Sequence, residues 1–206
     1  MFQALVRGAL SRVAKRVAKD GLFEKEGERA PTAPLSNRAE PEPGRGFSEK
    51  LQEPGPDPRA LCQPAGLRAV LERVSEQDGV LVLHHWATWC APCEEELPLI
   101  QALAESLQDH GEVLGLSWDA FEGGGDPQDM SVAVGRYAKE HGVDFPTLLL
   151  TDAPEKVFKA LSLDFQRIPQ TRVLAPDGRV LLQHDGAMTQ DDIDGLLALV
   201  HDLDAQ

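Results

Sequence analysis

From residue 63 onward the sequence predicts an α/β domain, one mixed central sheet with helices on both faces. Three observations predict it. Apolar strand-like runs alternate with stretches of helical periodicity, the pattern of βαβ units. The last two such runs, 168–174 and 180–182, flank Asp177-Gly178, a hairpin signal that makes the end of the sheet antiparallel. The apolar run ending at Trp86 leads through Cys90-Ala91-Pro92-Cys93 directly into a helical stretch.

The elements follow in order. Over 64–77, Leu67, Val70, Leu71 and Val74 recur at helical spacing, and Asp78-Gly79 ends the helix. Residues 80–86 form a buried strand. The helix over 91–109 accepts Pro92 in its first turn, where no N–H partner is needed. Pro98 falls inside it and predicts a kink, and His110-Gly111 stops it. Residues 112–118 form a central strand parallel to the first. Gly123-Gly124-Gly125-Asp126-Pro127 lacks the grammar of a phosphate cradle and reads as a turn. A helix over 128–141, a strand or extended turn over 145–150 and a short helix over 154–162 follow. The closing helix, 189–202, is N-capped by Thr189, with Asp191 and Asp192 in its first turn.

Two thiols three residues apart at a helix start share one face, close enough to form a disulfide. The N–H groups and dipole of that terminus favour a thiolate on the first sulfur. Cys90, the more exposed position, attacks a disulfide, and Cys93, one turn inward, resolves the mixed disulfide. Zinc knuckles use the same spacing, but a closed zinc site needs a second pair of ligands. The third cysteine of the chain, Cys62, cannot complete four, and His84 and His85 point to opposite faces of a strand. The context therefore favours redox chemistry with neither metal nor cofactor.

Trp86-Ala87-Thr88-Trp89-Cys90-Ala91-Pro92-Cys93 resembles the active-site segment of thioredoxin-fold proteins. The following Glu96-Leu97-Pro98 resembles the TlpA/ResA-like thiol–disulfide oxidoreductases. The likeness covers roughly 67–204, and the block over 128–162 matches the central α/β insertion of that family. The resemblance implies a thioredoxin-like three-layer fold and a protein disulfide or dithiol as substrate, with an upstream redox donor. It also implies a cis bond before Pro169, with Ile168 offering backbone hydrogen bonds to a substrate peptide. The family usually follows this proline with Thr; here it is Gln170. Glu96 matches a family glutamate that acts on cysteine ionisation or proton transfer, the alternative being a solvated carboxylate as at Glu94 and Glu95. His84 stands where thioredoxins bury an Asp. It either accepts the Cys93 proton or is a hydrogen-bonded structural histidine. Trp89 reads as a partly exposed shield for Cys90, in a substrate-contacting rim with Pro92, while Trp86 and Trp118 read as packing.

A second functional class remains, a non-catalytic binding protein or copper handler on the same fold. Soft thiolates suit Cu(I), but copper-handling relatives space their cysteines further apart and add a distant His. A peroxidase lacks its Thr-x-x-Cys arrangement here. The direction of electron flow is not readable from the residues; the resemblance leans toward a reductant.

The net charge of −14 over 206 residues is unevenly placed. Residues 1–60 carry 11 Lys/Arg against 9 Asp/Glu, and residues 61–206 carry 9 against 25. So acidic a body repels phosphates, which excludes nucleic acid as its partner. Three cysteines in such a chain are too few for a disulfide-stapled scaffold. Residues 1–23 read as a basic amphipathic helix, with Phe2, Leu5, Val6, Ala9, Leu10, Val13 and Val17 on one face. It lacks the apolar core of a secretory signal and is too charged to span a bilayer. It lies on an anionic membrane surface through residues 1–19, serves as an organelle presequence, or docks on the acidic body. Residues 24–62 read as a Pro-rich disordered linker, with Cys62 an exposed bystander at its edge or a partner in a mixed disulfide. The expected compartment is cytoplasmic, peripheral at the membrane, with a periplasmic or other extracytoplasmic site as the alternative.

Overall fold

The computed structural model describes residues 57–161 and 167–204. The expected basic helix over 1–23 lies outside the described residues. Within them the chain forms α1 (Pro58–Leu61), β1 (Cys62–Ala65), α2 (Leu67–Ser75), β2 (Val80–Trp86), α3 (Ala91–Leu107), β3 (Gly111–Ser117) and α4 (Ala120–Gly123). These are followed by α5 (Pro127–Glu140), β4 (Thr147–Leu150), α6 (Pro154–Leu161), β5 (Gln170–Leu174), β6 (Val180–Asp185) and α7 (Gln190–Asp204). The six strands make one sheet in the order β1-β4-β3-β2-β5-β6. Neighbours from β1 through β2 run parallel, and β5 and β6 are antiparallel to theirs, so the sheet is mixed as predicted.

β2 is buried at every position, which its uninterrupted apolar start and its place between β3 and β5 both require. Its alternate side chains serve two layers. His84 and Trp86 meet α3 and α5, through Glu96 and Tyr137. His85 points the other way, onto Trp118, which in turn packs on Phe158 of α6. Helices α3, α5 and α7 therefore cover one face, and α2 and α6 the other. The block expected as an insertion over 128–162 forms α5, β4 and α6 in its described residues, and β4 separates β3 from the edge strand β1.

Several local expectations meet their physical cause. α3 runs unbroken through Pro98, which withholds one N–H from the helix ladder. Gly178 turns the hairpin with a positive φ. Thr189 Oγ1 accepts the Asp192 N–H at 3.4 Å, and the Asp192 carboxylate accepts the Thr189 N–H at 2.8 Å, a reciprocal cap.

The linker expected over 24–62 is too long by its last residues. Residues 57–62 fold: Asp57 Oδ1 accepts the Arg59 N–H at 3.0 Å and caps α1, and Cys62 starts β1, opposite Thr147 of β4. Residues 24–56 of that linker lie outside the described residues. The reason for the miss is range. Ala60-Leu61-Cys62 is too short an apolar run to register, and the strand that pairs with it lies some eighty residues later. Cys62, expected exposed, is buried between this edge strand and its neighbours.

α1 is seated against α5 where a Cβ on Gly135 would run into the Pro58 carbonyl, so the crossing needs glycine. Gly135→Ala must push α1 away or strain α5, with an expected loss of about 1–3 kcal/mol. Chemical denaturation should show this, and a Gly135→Ala protein of unchanged stability would remove α1 from the packed body.

Candidate active site

Cys90 is the N-cap residue of α3, with extended backbone angles (φ −97°, ψ 98°). Its carbonyl accepts the N–H groups of Cys93 at 3.0 Å and Glu94 at 3.1 Å, which brings the two side chains onto one face. The two cysteines are joined as a disulfide with their Cα atoms 5.2 Å apart. Cys93 is fully buried while Cys90 keeps 6% of its surface, so Cys90 is the more exposed of the two.

Beneath Cys93 lies a buried ionisable couple. Glu96, one helical turn on, places Oε1 3.4 Å from His84 Nε2, and both side chains are closed to solvent. Glu96 Oε2 accepts the Met188 N–H at 2.7 Å, which ties the active-site helix to the segment leading into α7. His84 Nδ1 lies 3.1 Å from Thr171 Oγ1 on β5. Burial pushes the Glu96 carboxyl up to about 7, against the opposing pull of the Met188 N–H. Burial holds the His84 imidazole down at about 3. At neutral pH the imidazole is thus uncharged, and Glu96 is the group of the two that titrates near neutrality.

The remaining sequence-picked residues surround this pair. Ile168 and Pro169 are joined by a cis bond, with Ile168 half-buried and Pro169 buried. Pro169 O accepts the Gly186 N–H at 2.9 Å, and Gln170 Nε2 donates to Asp185 Oδ1 at 2.6 Å, so β6 holds this loop. Trp89 is exposed over 49% of its surface, Pro92 is exposed, and Trp86 and Trp118 are buried. Glu94 is exposed, as expected, and its Oε1 lies 3.4 Å from His141 Nε2 at the end of α5.

Sequence reasoning missed two features. Asp119, after β3, is buried and collects bonds from the turn before Cys90: the Thr88 N–H at 3.2 Å to each oxygen, and the Thr88 hydroxyl at 2.5 Å. Its partner Thr88 lies 31 residues upstream, a separation no local pattern bridges. Phe121 stands exposed over 37% of its surface on α4, its ring 5.5 Å from that of Trp118. A lone Phe beside a glycine-rich turn carried no signal.

A six-stranded mixed sheet, a Cys-x-x-Cys pair opening a helix, and a cis proline just before β5, the strand paired to the one that leads into that helix, together define a thioredoxin-fold protein. Residues 67–183 match the AhpC/TSA family, and the chain belongs to it. It is similar to the thiol-disulfide oxidoreductase ResA of Bacillus subtilis strain 168, 30% identical over 119 residues, 57% of this chain and 59% of that protein. It is likewise similar to ResA of Geobacillus kaustophilus strain HTA426, 30% identical over 124 residues, 59% of this chain and 64% of that one. The chain thus spans about three fifths of these relatives' length. A crystal structure of a DsbF homologue from Corynebacterium diphtheriae shares the fold, with a TM-score of 0.50 at 24% identity over 61% of this chain and 73% of that one.

The Glu96 shift has a consequence for stability. Between its ordinary value of 4.5 and its native value of about 7, the native state keeps a proton that the unfolded chain releases. Stability therefore falls as pH rises across that window and levels off above it. His84 acts in the opposite sense, costing stability as pH falls from 6.5 toward about 3. Glu96→Gln, which keeps an acceptor for Met188, should be stabilised relative to the parent at pH 8 by up to about 3 kcal/mol. It should differ far less at pH 4.5. Denaturant unfolding at the two pH values checks this, and an equal offset at both would place the Glu96 proton elsewhere.

Proposed function

We propose that this chain is a thiol–disulfide oxidoreductase that reduces disulfides in a partner protein. The observation that carries the reading is the Cys90–Cys93 pair at the start of α3, backed by a buried carboxyl–imidazole couple. In the reduced state Cys90 Sγ, as thiolate, attacks one sulfur of the partner disulfide. A Cys90–partner bond forms, and the displaced partner sulfur leaves and takes a proton. Cys93 then loses its proton and attacks Cys90 Sγ, which closes the intramolecular disulfide and releases the second partner thiol. Two electrons and two protons pass to the partner, and an upstream dithiol donor restores the pair.

The Cys93 proton needs an acceptor inside the protein, because Cys93 is closed to water. Glu96 suits this role: with a native value near 7 it is poised to take the proton and return it. His84, held neutral and hydrogen-bonded to Thr171, lies 3.4 Å from the carboxyl as an uncharged polar neighbour. Trp89 and Pro92 form the exposed rim where a substrate lies, and Ile168 supplies backbone groups to an extended substrate segment. The names of the similar ResA proteins support the same activity, and the fold supplies the frame for it.

The test is a redox titration of the pair against dithiothreitol and glutathione, read by thiol alkylation in a Cys62→Ala background. A reversible two-electron transition at or below about −250 mV is expected of a reductant, and one near −120 mV would make the protein an oxidant. Cys93→Ser should trap a mixed disulfide with a protein substrate through Cys90. In Glu96→Gln the resolving step should slow at least tenfold and lose its inflection near pH 7. No reversible transition, or a stoichiometric metal that blocks alkylation, would replace this reading with that of a binding or copper-handling protein.

The basic segment 1–19 is proposed to hold the protein at an anionic membrane surface on the cytoplasmic side. Among the described residues no helix is long and apolar enough to cross a membrane. Fractionation of the full chain should recover it with membranes at low salt and release it at high salt. Recovery outside the cytoplasm would favour the extracytoplasmic alternative.

A further inference from the structure

The turn Ala87–Cys90 is held by a group outside the cysteine motif and the family likenesses described above. Asp119 follows β3, which pairs in parallel with β2 along its full length, so the ends of both strands meet at one edge. There the Trp118 N–H donates to Trp86 O at 3.0 Å, and the Asp119 carboxylate bridges to Thr88, two residues before Cys90. The carboxylate also accepts the Ser117 hydroxyl at 2.7 Å. All these partners are uncharged donors. An acceptor-only group takes these donors as they stand, whereas an amide would require a hydroxyl to turn and accept. The site therefore suits a carboxylate, buried with no cationic group among these partners.

We propose that Asp119 is a positioning residue for the thiol pair: its carboxylate fixes the turn that presents Cys90 and, as a buried negative charge behind that turn, keeps the couple reducing. A buried negative charge disfavours a second one nearby, so it works against the Cys90 thiolate made available by the helix start. Destabilising the thiolate destabilises the reduced pair relative to the disulfide, which is the condition for donating electrons. The same carboxylate already reaches another thiol: burial first, and the Asp119 charge second, push the Cys62 thiol up to about 12. The other ionisable groups on the elements around the site are Glu94, Glu95 and Glu96 on α3, His84 and His85 on β2, Cys62 on β1, Tyr137 and His141 at the end of α5, and Arg167 before the cis bond. Burial first, then Glu94 and Asp119, pushes the Tyr137 hydroxyl up to about 12, so its titration is followed with that of Cys62 when Asp119 is changed.

The inference rests on the oxidoreductase reading, and its test separates the two. Asp119→Asn removes the charge and keeps most of the shape, while Thr88→Val and Ser117→Ala loosen the tether and keep the charge. Each full-length protein is titrated against glutathione at pH 8.5, where an ordinary thiol is substantially ionised. The pH dependence of Cys90 alkylation and the thermal midpoint are measured alongside. In Asp119→Asn the equilibrium should move two- to tenfold toward the reduced pair, about 9 to 30 mV more oxidising. Its alkylation midpoint should fall. Thr88→Val and Ser117→Ala should keep the parental equilibrium while lowering the rate. Parental values of both equilibrium and alkylation in a folded Asp119→Asn would leave Asp119 as scaffolding only. The full shift in Thr88→Val would assign it to geometry rather than charge. If Asp119→Asn does not fold, Asp119→Ser, which leaves room for water, is read the same way. A parent protein with no reversible transition would overturn the oxidoreductase reading itself, which an unshifted variant would not.

Discussion

The structure depends on the pairing of β2 on both of its edges. A strand buried at all seven positions can satisfy its N–H and C=O groups only through neighbours, and β3 on one side and β5 on the other supply them. That pairing puts three segments at one end of the sheet: the turn into α3, the loop after β3 and the cis-proline loop before β5. They carry, respectively, the thiols, Asp119 with its bonds to Thr88, and the cis Ile168–Pro169 bond. A one-residue slip of β2 would exchange the faces of His84 and His85 and separate Glu96 from its imidazole.

Two carboxyl groups near the cysteines are treated differently by their surroundings. Glu96 receives one backbone N–H and otherwise faces a neutral imidazole, so desolvation dominates and it keeps a proton to about pH 7. Asp119 is surrounded by donors from Thr88 and Ser117, which replace the water it has lost. The same residue chemistry thus meets two environments that differ in the number and kind of hydrogen bonds offered.

The legible parts were those with local signals. Cys90-x-x-Cys93, the helix start at Ala91, the Asp177-Gly178 turn and the Thr189 cap depend on residues a few positions apart, and each was found where expected. The cis bond at Pro169 was legible through family likeness, since an X-Pro bond read by itself would be taken as trans. β1 was not legible, because its four residues become a strand only by pairing with Thr147–Leu150. The burial of Cys62 follows from that pairing, so it was missed for the same cause. Glu94 is the surface carboxylate expected; only its approach to His141, at the end of a different helix, was not legible.

By itself the sequence determined the order of strands and helices from α2 onward, the short α4 apart, and the thiol pair with its inward and outward members. Periodicity, caps and turn residues act over a few residues and need no partner elsewhere. The tertiary structure alone decided which carboxyl meets which imidazole, that Asp119 anchors Thr88, and where the folded body begins. Those outcomes depend on how far each group is withdrawn from water and on donors supplied by distant strands, and only the closed sheet with its two helical layers sets both.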